Sequence, residues 1–519
     1  MTPNGIVYLV GAGPGDAGLL TVRGTELLAR AEVVIYDGLV NPDLLRLAPS
    51  AAEIVFGGKH DRTHCVSQEE INTLLLAKAR EGKRVVRLKG GDPYLFGRGG
   101  EEAEALAAAG VPFEVVPGVS SIQAVPCYAG IPLTHRGYNS SLTIVTGHND
   151  PLSPDNRLDW ALLARVPGTL VVLMGLRNVG SIAATLIKHG RSADVPVAII
   201  SRGTTARQKT VIGTLASIAE LAAQAGLCPP AVIVIGDVVN LRESLNWFER
   251  RPLVGRRVVV TQRRELAAPL VGLLREQGAD VLEVPASRWM PPPDLGRLDQ
   301  ALAERKSYDW ILFSNPKAIE VFLERLVLAY GDLRELGPAR LGAYGPMTGE
   351  KLLEYRLRPD AVAADHKTAL IMEALTRCGD VRGRRFLVLR GEFATENVPE
   401  ALEEMGASVE IVPSYAVEPE TTDPTGGAAR LAEEGADWII FASALAIEHF
   451  HERFDLPGLV ARFPHLRLAI ATAAIKGALE KLGLAPAAIS PSITAQDMVN
   501  VICKAEPSGA SFRGRSAGF

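Results

Sequence analysis

The sequence predicts an α/β protein in which strand-like apolar runs alternate with helical stretches. Three observations carry that reading. The run Ile6-Val7-Tyr8-Leu9-Val10 leads straight into a glycine-rich turn, Gly11-Ala12-Gly13-Pro14-Gly15-Asp16. The run Val85-Val86-Arg87-Leu88 leads into a loop from Lys89 to Glu102 and then an Ala/Glu-rich helical stretch. In the second half, Gly255-Arg256-Arg257 recurs as Gly383-Arg384-Arg385, 128 residues on, within a weak repeat.

The first turn suits a ligand seated over a helix N-terminus. A dinucleotide fingerprint needs G-x-G-x-x-G, and Pro14 and Gly15 break that spacing. Asp37, closing the run Val33-Val34-Ile35-Tyr36, could still serve as the ribose-binding acid of an NAD site, so an oxidoreductase stays open. Ser67-Gln68-Glu69-Glu70 reads as a capping box for a helix carrying Ile71, Leu74 and Leu75. His60 and His64 have i, i+4 spacing, with Cys65 beside them. Gly57-Gly58 and Asp61-Arg62-Thr63 make that segment a loop, so no metal site is expected.

The second loop is the richer one. Gly90 and Gly91 let the backbone approach a ligand closely. Asp92 sits at a strand end, where a carboxylate can accept bonds from ligand hydroxyls or amines. Arg98 and Glu101 lead into the next helix. Glycines, a carboxylate and an arginine in one loop make poor core and good site material.

The chain has 519 residues, room for about three or four compact units. Hydrophobic residues make up 47% and charged ones 22%, the balance of a soluble globular protein. The net charge of -4 gives no hint of nucleic-acid or membrane binding. Apolar runs are too short to span a bilayer. The cysteines Cys65, Cys127, Cys228, Cys378 and Cys503 form no C-x-x-C pair, and their odd number argues against a disulfide framework. A reducing, cytoplasmic setting is expected, with no signal peptide. The polar, proline-bearing segment from Phe248 to Leu253 marks a boundary. The expected units are 1–248 and 255–505, joined by a linker at 249–254 and followed by a disordered tail at 506–519.

The repeat in the second unit has further pieces. Asp309-Trp310-Ile311-Leu312-Phe313 pairs with Asp437-Trp438-Ile439-Ile440-Phe441, and Ala318-Ile319-Glu320-Val321-Phe322 with Ala446-Ile447-Glu448-His449-Phe450. Two copies are too few for a solenoid. Two small parallel α/β units leave a cleft between them, a common ligand site. A duplicated module that only mediates assembly is the alternative.

A series of motifs in the first unit resembles a known family. After the two loops come Val116-Pro117-Gly118-Val119-Ser120-Ser121, Ala129-Gly130-Ile131-Pro132-Leu133-Thr134-His135-Arg136, Thr146-Gly147-His148 and Val172-Leu173-Met174-Gly175-Leu176. Together they resemble the uroporphyrinogen-III C-methyltransferases of the tetrapyrrole methyltransferase family, over about residues 5–248. The resemblance implies two α/β subdomains with S-adenosylmethionine (SAM) in the cleft between them, and a homodimer formed through this half. It implies SAM contacts at Pro14, Gly90, Gly91, Asp92, Leu95, Ser120, Ser121, Met174 and Gly203. Leu95 and Met174 can flank adenine, although Met174 equally suits core packing on a strand. The carboxylate-rich tetrapyrrole needs cations, and Arg98 and Arg136 are the strongest candidates. The family implies Glu101 on the pyrrole N–H groups, and catalytic roles for Asp37, Lys59 and Arg98. For Asp37 and Lys59 a structural ion pair is the alternative. One departure stands out: the family's Tyr-Asp-Arg-Leu-Val reads Tyr36-Asp37-Gly38-Leu39-Val40 here, so an arginine near the substrate is missing. A methyltransferase for a later corrin intermediate is a rival, disfavoured by the full Gly97–Glu102 loop.

The region from about 255 to 505 is similar to the uroporphyrinogen-III synthases. Val260-Thr261-Gln262-Arg263, Leu312-Phe313-Ser314-Asn315-Pro316, Gly342-Ala343-Tyr344-Gly345-Pro346-Met347-Thr348, Val388-Leu389-Arg390-Gly391 and Pro413-Ser414-Tyr415 carry the similarity. That family implies two domains joined by two crossing strands, with crossings expected at Pro285-Ala286 and Pro413-Ser414-Tyr415. It implies that Tyr415 assists departure of a hydroxyl group, with no cofactor. Arg263, Lys317 and Arg390 follow strand-like runs and are candidates for substrate carboxylates, and Ser314, Thr348 and Ser443 could donate hydrogen bonds to the substrate. Where synthases carry a stretch like Ile-Gly-Pro-Thr-Thr, this chain has Ala469-Ile470-Ala471-Thr472-Ala473-Ala474-Ile475-Lys476. Thr472 could compensate, or the domain could be impaired. The joint expectation is a bifunctional enzyme serving sirohaem or cobalamin synthesis on small tetrapyrroles. The rival keeps the methyltransferase beside a non-catalytic binding module.

Overall fold

The strand runs read from the sequence become the centres of four sheets, two in each half. The computed structural model describes residues 5–60, 64–65, 67–292, 294–365, 367–391 and 397–506, with backbone alone at 59–60 and 64–65. The side chains of Lys59, His60, His64 and Cys65, and the tail from Pro507 onward, therefore lie outside the described residues.

The first sheet contains β1 (Ile6–Gly11), β2 (Val33–Tyr36), β3 (Glu53–Phe56), β6 (Arg84–Lys89) and β7 (Phe113–Val116). A short hairpin, β4 (Lys59–His60) with β5 (His64–Cys65), lies outside it. The order is β3-β2-β6-β1-β7 and every pairing is parallel. Nearly unbroken apolar runs are what a sheet covered on both faces requires. The expected capping box is present. Ser67 Oγ accepts from the Glu70 N–H at 3.2 Å, and the Glu70 carboxylate accepts from the Ser67 N–H at 2.6 Å. The helix so started, Gln68–Arg80, buries Ile71, Leu75 and Ala79.

Two cations interrupt the apolar run of β6. Arg87 and Lys89 are almost wholly buried, as is Glu102 on the helix Gly99–Ala108. Glu102 Oε1 accepts from Lys89 Nζ at 2.8 Å, Arg87 Nε at 3.1 Å and Gln68 Nε2 at 3.2 Å. Arg87 also donates to Asp37 at the end of β2. Burial pushes the Lys89 ammonium below its ordinary pKa, and the charge on Arg87 adds to this while Glu102 and Asp37 oppose it. The cluster therefore ties β6, the end of β2 and the Glu102 helix together through charges that exist only as a set, and Gln68 joins its own helix to them.

The second sheet contains β8 (Leu142–Thr146), β9 (Thr169–Leu173), β10 (Pro196–Ser201), β11 (Lys209–Thr214) and β12 (Ala231–Ile235). Its order is β11-β10-β12-β9-β8, antiparallel except for β8 beside β9. The helix Ser121–Tyr128 starts at the edge of the first sheet and packs Ile122 and Val125 against this one. The segment expected as a linker is packed. Leu253 is fully buried, and Glu249 accepts from Gln208, Thr210 and Arg242.

The second half contains β13 (Arg257–Val260), β14 (Asp280–Glu283), β15 (Ser287–Met290), β16 (Trp310–Phe313), β17 (Arg340–Ala343), β18 (Ala361–Val362), β19 (Arg385–Gly391), β20 (Ser408–Pro419), β21 (Trp438–Phe441), β22 (Arg467–Ile470) and β23 (Ala488–Ile489). They form sheets of order β14-β13-β21-β22-β23 and β15-β20-β19-β16-β17-β18. Each sheet is built from parts of both sequence copies. The Arg257 N–H donates to Asp437 at 2.8 Å, and its repeat equivalent, the Arg385 N–H, donates to Asp309 at 2.9 Å. The two copies have exchanged halves, as the expected pair of crossings requires.

Two expectations change. The outward crossing falls at Val284–Ala286, but the return does not lie at Pro413-Ser414-Tyr415. Those residues sit inside β20, where its partner switches from β19 to β15, and the chain returns at Pro419-Glu420, whose N–H bonds Ala286. β15 and β20 are antiparallel, and their pairing carries the chain on to Pro419. Glu506 also belongs to the folded unit and not to a tail. It is buried and accepts from the Trp438 indole at 2.8 Å and from Arg467.

Glu102→Gln should leave Arg87 and Lys89 buried without their shared anion. The expected loss is about 3–5 kcal/mol, read as an earlier urea unfolding transition.

Candidate functional site

Three backbones meet at the C-terminal edge of the first sheet. A Cβ on Gly118 would stand 2.2 Å from the Gly91 carbonyl oxygen and 2.7 Å from Gly11 Cα. A Cβ on Gly11 would meet Gly118 Cα at 2.5 Å. Gly13 and Gly91 exchange backbone hydrogen bonds of 3.2 and 2.8 Å. Only glycine permits this approach. The crossing fixes the floor of a cleft of about 1130 Å³ between the two N-terminal subdomains.

All nine residues expected to touch a ligand line this one cleft: Pro14, Gly90, Gly91, Asp92, Leu95, Ser120, Ser121, Met174 and Gly203. Their roles differ in detail. Asp92 holds its own loop. Its carboxylate accepts from the N–H groups of Tyr94 at 2.9 Å, Leu95 at 3.0 Å and Gly118 at 3.0 Å. Gly203 is glycine because a Cβ would strike Val125 at 2.4 Å, so it permits helix contact as much as ligand approach. Gly91 has φ +70° and an open side, its nearest neighbour to a Cβ being Ser121 N at 3.9 Å. Met174 is 52% exposed with φ +55°, which excludes core packing for its side chain. Of the seven non-glycine residues with positive φ among the described residues, three (Phe96, Met174 and Arg202) line this cleft. Backbone strain of this kind concentrates at binding sites.

The donors and surfaces suit a nucleoside-like, charged small molecule. Glycine backbone, the N-terminus of the helix Ser121–Tyr128, and the apolar faces of Pro14, Leu95, Val125 and Met174 surround one space. Asp16 braces the rim by accepting from Tyr128 Oη at 2.8 Å, and its own N–H donates to Thr204 Oγ1 at 3.1 Å.

The residues expected to act on the second substrate are placed less uniformly. Asp37 is engaged by buried Arg87. Arg98 and Glu101 are exposed and pair with one another at 2.6 Å beyond the cleft wall, and Arg136 is exposed and also outside the lining. Lys59 lies outside the described side chains. Sequence reasoning missed Arg177 and Arg202. Both line the cleft, and neither makes an ion pair among the described residues. Arg202 had a signal available, because it precedes Gly203 at the end of a buried strand.

The C-terminal half gathers a second cluster at the strand ends of β16 and β19. Tyr415 is nearly buried and packs edge-on against Trp289, 4.5 Å between centroids. Arg263, from the other domain, stacks on the Trp289 ring at 3.7 Å. Burial pushes the Arg263 guanidinium below its ordinary pKa, with Tyr415 and Glu265 opposing, and its Nε is buried without a partner among the described residues. Asn315 Oδ1 caps the helix Pro316–Tyr330 by accepting from the Ala318 N–H at 3.1 Å, so its Nδ2 must face the Tyr415 oxygen, to which it donates. Gly391 is required beside this ring, since a Cβ would meet Tyr415 at 2.8 Å. Ser314 is buried next to Asn315, and the Arg390 carbonyl accepts from Ser414 at 3.2 Å. The cluster thus joins Arg263 of one domain to Trp289, Asn315 and Tyr415 of the other; Ser314 adjoins Asn315, and Arg390 reaches it through its backbone carbonyl. In the divergent stretch, Thr472 occupies a cap position but makes no side-chain cap bond.

Residues 6–219 match the family of Tetrapyrrole (Corrin/Porphyrin) Methylases, and residues 268–500 match Uroporphyrinogen-III synthase HemD. The porphyrin biosynthesis protein HemD of Ruminiclostridium josui is 37% identical over 454 residues, covering 86% of this chain and 88% of that protein. This chain belongs to the family of fused tetrapyrrole methylases and uroporphyrinogen-III synthases. The uroporphyrinogen-III C-methyltransferase of Bacillus subtilis (strain 168) is 42% identical over 369 residues, 71% of this chain and 75% of that one. The S-adenosyl-L-methionine-dependent uroporphyrinogen III methyltransferase of Methanosarcina barkeri (strain Fusaro / DSM 804) is 53% identical over 241 residues, 46% of this chain and 94% of that one. The methylase half therefore holds the large cleft, and the synthase half the Tyr415 cluster. Among the described residues no helix is long and apolar enough to cross a membrane.

Gly118→Ala should force the three-backbone crossing apart. The methylase half is expected to lose about 1–3 kcal/mol, seen as a lower urea midpoint, with the synthase half unaltered.

Proposed function

We propose that the protein is a bifunctional enzyme of tetrapyrrole biosynthesis. The synthase half closes hydroxymethylbilane to uroporphyrinogen III, inverting the last ring. The methylase half methylates that product on rings A and B with SAM, giving precorrin-2. The reading rests above all on the convergence of nine candidate SAM residues in one cleft, drawn from loops far apart in sequence.

SAM supplies a methyl group on a sulfonium that carries its own leaving group. The protein's task is to align a pyrrole carbon with that methyl and to exclude water. Gly90, Gly91 and Ser120 would seat the donor, with Leu95 and Met174 against its base. Asp92 would act by holding the loop as well as by any contact of its own. Arg177 and Arg202 add to Arg98 and Arg136 as anchors for substrate carboxylates. Glu101 would reach pyrrole N–H groups only on release from Arg98. We assign Asp37 an ion-pair role through Arg87, and leave proton transfer to Lys59.

In the synthase half Tyr415 would assist hydroxyl loss, its ring locked by Trp289 and Gly391 and its oxygen oriented by Asn315. Arg263, Ser314 and Arg390 would hold carboxylates nearby. We further propose a cytoplasmic homodimer formed through the methylase half. Sedimentation at the mass of one chain would refute the dimer.

The decisive experiment supplies hydroxymethylbilane without SAM and separates the oxidised porphyrin isomers. Type III product supports a working synthase, and SAM-dependent methylation completes the reading. Type I alone, the product of spontaneous closure, would favour a non-catalytic binding half, the alternative raised by the Thr472 stretch.

Tyr415→Phe should slow type III formation by about a hundredfold or more while methyl transfer keeps its parent rate. Gly38→Arg is sterically permitted, since a Cβ there meets only Phe56 at 3.5 Å. It should lower KM for uroporphyrinogen III by about threefold to tenfold in steady-state assays, through a charge-assisted contact.

A further inference from the structure

The two halves meet across the mouth of the methylase cleft, and the synthase half touches both lips. One lip belongs to the first subdomain. Gly38 to Pro42 line the cleft, and the following turn Pro42–Leu47 carries Asp43 and Arg46. Arg46 pairs with Glu283 at 2.6 Å, and Asp43 with Arg275 at 2.6 Å. The other lip belongs to the second subdomain, where Arg202 to Arg207 approach the same space. Arg207 pairs with Glu434 at 2.8 Å and Asp280 at 3.2 Å, and the Gly255 N–H donates to the Ala206 carbonyl at 2.8 Å. Asp280 lines the cleft itself and is held in place by Arg257 and Arg430, both at 3.0 Å.

One exposed ion pair contributes little. Here the pairs form one network at each lip, and the central carboxylate of each is mostly covered: Glu283 is 14% and Asp280 19% exposed. Covered pairs are screened less by salt. Both contacts come from one sheet of the synthase half and its flanking helices, a single packed body. A body that grips both lips fixes their separation.

We propose that the synthase half is a clasp that sets the opening of the SAM cleft, with Asp43, Arg46 and Arg207 as its positioning residues on the methylase side. Methyl-donor affinity is then a property of the fused chain, not of the methylase half alone. The proposal rests on the reading that this cleft holds SAM.

The test uses the full chain and S-adenosylhomocysteine as the probe, with affinity from calorimetry and dissociation rate from stopped flow. The double variant Asp43→Arg with Arg46→Glu keeps its internal pair but sets like charges against Arg275 and Glu283. It should weaken binding by about tenfold through faster dissociation, and raise KM for SAM more than it lowers kcat. Adding Arg275→Glu and Glu283→Arg restores every pairing with signs exchanged, and should return affinity to within about twofold of the parent. Parent-like affinity in the double variant would overturn the clasp. So would a fourfold variant no better than the double, which would mean local damage to the lip. No binding by the parent would instead overturn the assignment of the cleft.

Discussion

The contact of Gly11, Gly91 and Gly118 is the constraint on which the methylase half depends. Three chain segments leave the first sheet within van der Waals reach of one another, closer than any Cβ allows. Because the backbones touch, the loops after β1, β6 and β7 share one origin and diverge around one space. Asp92 then locks the arrangement by spanning from its own loop to the Gly118 N–H at 3.0 Å. The carboxylate that looked most like a ligand contact lines the cleft and also accepts three backbone N–H groups of the protein. Strain at Phe96, Met174 and Arg202 is tolerated because the frame beneath is so tightly determined.

Charge is handled in two ways. Beneath the first sheet, buried Arg87, Lys89 and Glu102 form a set, joined by half-buried Asp37, whose members are costly singly and acceptable together. Between the halves, Asp280 collects three arginines near a surface that water reaches. The first cluster holds a fold. The second holds two folds in register, and it does so at the edge of the methylase cleft. Fusion therefore has a physical consequence beyond linking two activities on one chain.

The synthase half turns on an exchange. Its sequence repeats, yet no folded domain corresponds to one copy. Equivalent pairs, Arg257 with Asp437 and Arg385 with Asp309, close one sheet each by reaching from one copy into the other. The exchange also builds the candidate site. Arg263 comes from one domain and Trp289 and Tyr415 from the other, and the stacking of all three needs both.

The sequence by itself determined the α/β class, the strand-to-glycine turns and the capping box at Ser67, and its motifs marked nine residues that line one cleft. These are local: a buried run, a turn or a cap is written in a few neighbouring residues. The family motifs extended that reach, because motif order ties distant loops to one ligand. Tertiary structure alone decided that Asp92 supports a loop, that Arg98 pairs with Glu101, and that Arg177 and Arg202 face the cleft. It also moved the return crossing from Pro413-Ser414-Tyr415 to Pro419-Glu420, since a strand's change of partner is invisible along the chain. Which carboxylate meets which arginine depends on contacts more than 200 residues apart, such as Arg46 with Glu283 and Arg207 with Glu434. No local pattern encodes such pairs, because they exist only once both halves have folded and met.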